Sequence, residues 1–133
     1  MLKKDIPLYG NGLNIRDWLY VEDHIDALLM VAINGKIGQR YCIGGGKELT
    51  NEFIVQKICN ILDIKKPASQ PYEKFIKFVK DRPGHDYRYA IYSSKIKSEL
   101  KWKPKFSFEK GIEKTIDWYL NNQNWWGKKI LNK

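Results

Sequence analysis

The chain has 133 residues, enough for one domain with a core of its own, spanning residues 1–133. Apolar residues make up 43% and charged residues 29%, which excludes a disordered chain. The longest apolar run, Ala27 to Ile33, is far shorter than the about 20 residues a membrane-spanning helix needs, so no membrane partner is expected.

Pro7 to Asn14 reads as a turn-rich stretch centred on Gly10-Asn11-Gly12. Asp17 to Val21, aromatic and β-branched, reads as a strand. From Glu22 to Asn34 the spacing predicts a helix that buries Ile25, Leu28, Leu29 and Ala32 and stops at Asn34-Gly35. Arg40 to Ile43 reads as a second strand, leading into Gly44-Gly45-Gly46. Thr50 or Asn51 then caps a helix with Ile54, Val55, Ile58, Cys59, Ile61 and Leu62 inward.

Pro67 to Pro71 breaks the chain, and Phe75 to Val79 reads as a strand. Asp81 to Asp86 must be a loop, because Pro83 and Gly84 oppose regular structure. Arg88 to Tyr92 reads as short and extended. Ser93 or Ser94 caps a short helix ending near Leu100. Ser107 caps a last helix that buries Phe108, Ile112, Ile116, Tyr119 and Leu120, and Trp125 and Trp126 are expected to fold back. The sum is an α/β chain of about four helices and a few short strands separated by helices, with an undersized sheet.

Cys42 and Cys59 each lie in apolar stretches and read as two buried free thiols in a reducing compartment. Met1 to Pro7 carries no apolar stretch of the signal-peptide kind, so the expected location is the cytoplasm. The net charge of +9 suits either nucleic acid or a small anionic ligand. Nucleic acid is not expected: there is no zinc finger, no aromatic RNP-type strand and no helix-turn-helix with a basic second helix.

Two places concentrate groups that grip an anion. One is Arg16, beside Asp17; the other is Asp81-Arg82-Pro83-Gly84-His85-Asp86. A planar guanidinium makes two parallel hydrogen bonds to phosphate oxygens, where a lysine acts only as a point charge. Asp17, or Asp81 and Asp86, would orient each arginine. Ordinary surface Arg–Asp pairs fit the same spacing, and the sequence leaves both readings open. His85 would donate to a phosphate or a ribose hydroxyl. Pro7-Leu8-Tyr9 offers a flat patch for a nucleobase, although packing is the commoner role of an aromatic beside a proline.

Other chemistry is missing. Gly10-x-Gly12 has Ile15, and Gly44-x-Gly46 has Leu49, where a dinucleotide fingerprint needs its third glycine. No tyrosine is followed four residues later by lysine. Only His24 and His85 are present and there is no Cys-x-x-Cys, so no metal site is expected. No catalytic residue is assigned.

Pro7-Leu-Tyr-Gly10, Arg16-Asp-Trp-Leu-Tyr-Val-Glu-Asp-His24, Tyr41-Cys-Ile-Gly-Gly45, Asp81-Arg-Pro-Gly-His-Asp86 with Arg88-Tyr-Ala-Ile91, and Trp102-Lys-Pro104 come in one order. In that order the sequence resembles the dTDP-glucose 4,6-dehydratases, a family of extended short-chain dehydrogenase/reductases. The resemblance implies the C-terminal, nucleotide-sugar-binding part of such an enzyme, with its NAD-binding Rossmann half absent. It implies that Pro7, Leu8 and Tyr9 border the thymine, that Arg16 and Arg82 hold the diphosphate, and that Asn51 with Asp81, Pro83, Gly84 and His85 completes the nucleotide contacts. It implies no cofactor for this chain, NAD being expected only in a full-length relative. The expected function is binding of a dTDP-sugar without turnover. The alternative is a non-catalytic module that complements a separately encoded Rossmann-half polypeptide; self-association is the other expected partnership.

Overall fold

The computed structural model describes residues 5–131; residues 1–4, on which most of the amino-terminal reading of Met1 to Pro7 rests, lie outside the described residues, as do 132–133. In chain order the elements are β1 (Ile6–Tyr9), β2 (Ile15–Asp17), α1 (Val21–Asn34), β3 (Glu48–Thr50), α2 (Asn51–Lys65), a 3-10 turn (Tyr72–Phe75), β4 (Ile76–Val79), α3 (Ser94–Leu100), α4 (Phe108–Asn121) and α5 (Gln123–Leu131). The chain is α/β, with five helices rather than about four. The fifth forms where the two tail tryptophans were expected to fold back, and they do: Trp125 meets Trp118 edge-on at 5.2 Å, and Trp126 Nε1 donates to the Tyr119 carbonyl.

The sheet is smaller than two layers of helix require. β1 pairs in parallel with β4, and β2 pairs antiparallel with β3. β1 corrects the expectation of turn structure from Pro7. The turn begins only at Gly10, and Pro7 is tolerated because β1 is an edge strand that needs few donors. The strand expected over Asp17 to Val21 is also displaced. Only Asp17 is in a ladder, and Val21 already opens α1.

Arg40 to Ile43 is extended without belonging to any ladder among the described residues. Its period of two survives: Tyr41 and Ile43 pack on the cluster of Ala27, Ile96 and Trp102, and Cys42 points out. Both cysteines are free, but only Cys59 is buried, so the expectation of two buried thiols fails at Cys42.

The buried face of α1 differs from the predicted one. Asp23 and Ala27 are buried, with Met30 and Val31 against the core, while Ile25, Leu28 and Leu29 are half exposed. The reason is Asp23. Its carboxylate accepts the backbone N–H groups of Lys105 at 2.8 Å and Phe106 at 3.2 Å, and this polar anchor rotates the helix away from its most apolar stripe.

The other packing unit sets α2 against β1 and α4 through Leu8, Ile54, Cys59, Leu62 and Ile116. Thr50 and Ser107 cap α2 and α4 as predicted, each hydroxyl accepting an N–H three residues on. Lys65 on α2 reaches Glu113 and Asp117 on α4 at 3.0 and 2.8 Å. Tyr119, expected inward, is half exposed.

Candidate functional site

At one end of the β1–β4 pair, the chain leaves both strands in tight loops. Gly10 donates its N–H to the Val79 carbonyl, one step beyond the ladder. It sits at φ +60, and a Cβ there would stand 2.9 Å from Asp81 Oδ2. Glycine thus lets the Asp81 carboxylate lie against the end of β1. Gly12, at φ +74, brings its carbonyl within 2.9 Å of the Glu52 N–H, in the first turn of α2. β1, the loop after β4 and the start of α2 therefore meet.

Asn14 fastens these pieces. It is 5% exposed; its carbonyl accepts the Asn51 N–H, and its side-chain amide donates to the Asp86 carbonyl. The segment after the loop then runs beside β2: Ile15 donates to the Tyr87 carbonyl, and Tyr89 donates to the Ile15 carbonyl.

Arg16 lies within this frame. Its two terminal nitrogens donate to the Ile15 carbonyl at 2.6 Å and the Asp86 carbonyl at 2.9 Å. Its guanidinium carbon stands 4.8 Å above the Tyr89 ring. The expected orienting partner, Asp17, is engaged elsewhere, accepting the Lys47 N–H. Arg82 is exposed, and its guanidinium makes no hydrogen bond or ion pair among the described residues. Arg16 and Arg82 both pull the Tyr89 hydroxyl pKa down, against the larger upward pull of the hydrogen bond to Asp86.

Asp81 and His85 form a pair. His85 Nδ1 is 2.7 Å from Asp81 Oδ1, which also accepts the Arg82 N–H. The imidazole is nearly covered, with 6% of its side chain exposed. Pro83 and Gly84 make the turn between them, Gly84 at φ +67. On β1, Pro7 and Tyr9 are exposed, whereas Leu8 alternates into the core. The Leu8 side chain is therefore core and does not border a ligand. Asn14 and Tyr89 complete the frame and were not singled out as site residues; Asp86, expected to orient an arginine through its carboxylate, meets Arg16 through its backbone carbonyl.

The His85 hydrogen bond, before any other cause, holds the Asp81 carboxyl below the ordinary 3.8. A carboxylate lowered in this way adds stability above its ordinary value, and that stability disappears as pH falls through the folded value. The melting temperature of the wild-type chain should therefore fall more steeply below about pH 3.8 than that of Asp81→Asn. Parallel acid limbs in melts of the two proteins would remove this link.

The described residues do not fit NAD. β2 follows Gly12, and β3 stands between Gly46 and α2, so neither glycine run opens a helix onto which a pyrophosphate would sit. They also contain no cluster of three or more His, Cys, Asp or Glu able to hold a metal ion. A cavity of about 590 Å³ lies elsewhere, between α2, α4 and the chain from Trp18 to Glu22, and is lined largely by aromatic and aliphatic side chains. It contains none of the anion-gripping residues. No helix among the described residues is long and apolar enough to cross a membrane.

Residues 1–115 match the family model described as GDP-mannose 4,6 dehydratase. The chain is 54% identical over 127 residues to a dTDP-glucose 4,6-dehydratase of Escherichia coli, which covers 92% of this chain and 35% of that protein. It is 50% identical over 124 residues to a probable dTDP-glucose 4,6-dehydratase of Sinorhizobium fredii, covering 93% and 35%. The crystal structure of the Bacillus anthracis dTDP-glucose 4,6-dehydratase in complex with NAD superposes with a TM-score of 0.81 at 45% identity, over 94% of this chain and 37% of that one. DesIV of Streptomyces venezuelae, solved with NAD and TYD bound, gives a TM-score of 0.82 at 36% identity, over 92% and 36%. The chain thus spans about a third of the length of the relatives it matches.

Proposed function

The chain belongs to the GDP-mannose 4,6-dehydratase family, and from that premise we propose that it forms the dTDP-sugar-binding part of a dTDP-glucose 4,6-dehydratase and does not turn substrate over by itself. One observation carries the reading: the Asp86 carbonyl and the Tyr89 ring hold Arg16 against the segment that carries Arg82 and the Asp81–His85 pair, although Arg16 and Asp86 lie 70 residues apart in sequence. Two guanidinium groups on segments held together in this way suit a diphosphate. Pro7 and Tyr9 offer the neighbouring flat surface for the base. Asn51 at the start of α2 and the Pro83–Gly84 turn complete the contacts. Titration of dTDP-glucose and dTDP into the chain by calorimetry tests this. Saturable binding of both, with no 4-keto-6-deoxy product when NAD is added, is the expected result. No heat from dTDP, or turnover at an ordinary enzyme rate, removes the reading.

We also propose a protein partner, either a Rossmann-half polypeptide or a second copy of this chain. Ile25, Leu28, Leu29 and Ile33 leave α1 with an exposed apolar stripe, and the extended stretch through Cys42 offers backbone groups outside any ladder. Exposed edges and patches of this kind recruit other chains. Sedimentation at low micromolar concentration should show self-association, or a monomer that melts low; a strict monomer melting above about 65 °C rejects the proposal. The unpaired thiols fit the cytoplasm as the compartment of such a protein.

A further inference from the structure

Arg16 does not hold its own position. A long side chain on a three-residue strand has several rotatable bonds, and fixing it costs entropy that its own strand cannot offset. Here three groups from the segment after the 81–86 loop and from β2 fix it together. The Ile15 and Asp86 carbonyls take one N–H from each terminal nitrogen, and the Tyr89 ring lies under the guanidinium plane. A guanidinium has five N–H donors. Two are used in this way, and the other three have no partner among the described residues.

Tyr89 is itself held. Its backbone N–H donates to the Ile15 carbonyl, and its hydroxyl donates to the Asp86 carboxylate. Asp86 therefore binds Arg16 through its carbonyl and Tyr89 through its side chain, and Ile15 joins the same two residues through one carbonyl. The four residues form a closed loop of contacts around one cation.

We propose that Tyr89 is a positioning residue, which holds the Arg16 guanidinium in one plane with its remaining donors directed to the phosphate oxygens of the ligand. The proposal rests on the dTDP-sugar reading above and adds a residue to it. The ring is suited to the task because a tyrosine face attracts a cation while leaving every N–H free for hydrogen bonding, which a carboxylate partner does not. An Arg–carboxylate pair would spend two donors and cancel the charge that the ligand needs. The Asp86 hydrogen bond also keeps the Tyr89 hydroxyl protonated, raising its pKa above the ordinary value, so the cradle stays intact through neutral and mildly alkaline pH.

The test is a double-mutant cycle on the full chain, read by calorimetry with dTDP and with free thymidine. Tyr89→Leu should weaken dTDP binding about threefold to tenfold and leave thymidine unchanged. Tyr89→Phe, which keeps the ring, should recover most of the loss. Combined with Arg16→Ala, Tyr89→Leu should add nothing further. Additive losses, or an equal loss for thymidine, mean that Tyr89 acts through the fold and overturn the proposal. If the wild-type chain binds no dTDP, the nucleotide reading fails, and side-chain relaxation of Arg16 Nε in the free chain still decides the positioning role. Arg16 rigid in wild type and mobile in Tyr89→Leu supports it; equal mobility in both overturns it.

Discussion

Arg82→Ala should weaken dTDP binding on the order of ten- to a hundredfold while free thymidine binds as before. The size follows from the chemistry of the contact. A guanidinium that meets a diphosphate makes charge-assisted hydrogen bonds, which are roughly twice as strong as neutral ones. The structure makes this variant easier to read than Arg16→Ala. The Arg82 side chain has no hydrogen-bond partner among the described residues, so its loss strands nothing in the free protein. Removing Arg16 takes one donor from each of the Ile15 and Asp86 carbonyls, which keep those of Tyr89 and Asn14, and takes the cation from above Tyr89. Arg82→Lys should recover part of the affinity, because it keeps the charge and loses the forked geometry. Raising salt should narrow the gap between wild type and Arg82→Ala, since an exposed cation is screened. Calorimetry at two ionic strengths measures both effects. Equal dTDP affinity in wild type and Arg82→Ala would exclude Arg82 from the site.

The loop that carries Arg82 was legible in the sequence because its features are chemical. Pro83 and Gly84 forbid a regular element, and arginine, histidine and aspartate around them announce an anion. Arg16 was legible for the same reason. What held Arg16 was not. A reader of sequence pairs it with the neighbouring carboxylate, Asp17, whereas the fold uses the Ile15 carbonyl beside it and a carbonyl and a ring from 70 or more residues away. Carbonyls are present at every position and leave no signature. Asn14 was hidden likewise: its amide and carbonyl link α2 to the 81–86 loop, and nothing in a run of turn residues marks one asparagine as buried.

The fold shows the same division. The caps of α2 and α4 follow from local hydroxyl chemistry, and both were legible in Thr50 and Ser107. The inward face of α1 and the pairing of residues 40–43 depend on what lies alongside, and both departed from expectation. Hydrophobic spacing located α1 but chose the wrong stripe, because a buried aspartate outweighs the preference of three aliphatic side chains.

That aspartate supports the largest stability effect we expect. Asp23 is 1% exposed, and its two carboxylate oxygens accept the N–H groups of Lys105 and Phe106. Those donors belong to the connection between α3 and α4, which reaches no ladder and has no other partner in the hydrogen bonding we observe for these two groups. Asp23→Ala removes the acceptor and leaves two part-buried N–H groups without it. A hydrogen bond to a charged group contributes about 1.5–3 kcal/mol, and two are lost together, so the variant should lose about 3 kcal/mol. For a chain of this size that lowers the melting temperature by roughly 10 °C. Asp23→Asn keeps one acceptor oxygen but turns an amide N–H toward a second donor, so it should fall between alanine and wild type. The neighbouring pair of Asp26 and Lys105, at 2.9 Å on the surface, is the control: Asp26→Ala should shift the melt little, because exposed ion pairs are screened and flexible. Asp23 lies on α1, away from Arg16 and the 81–86 loop, so dTDP affinity measured well below the melt should be the same in Asp23→Ala as in wild type. Thermal melts of the three variants decide the point. A drop of less than about 3 °C in Asp23→Ala would mean that water or a rearranged loop satisfies Lys105 and Phe106, and that the rotation of α1 has a different cause.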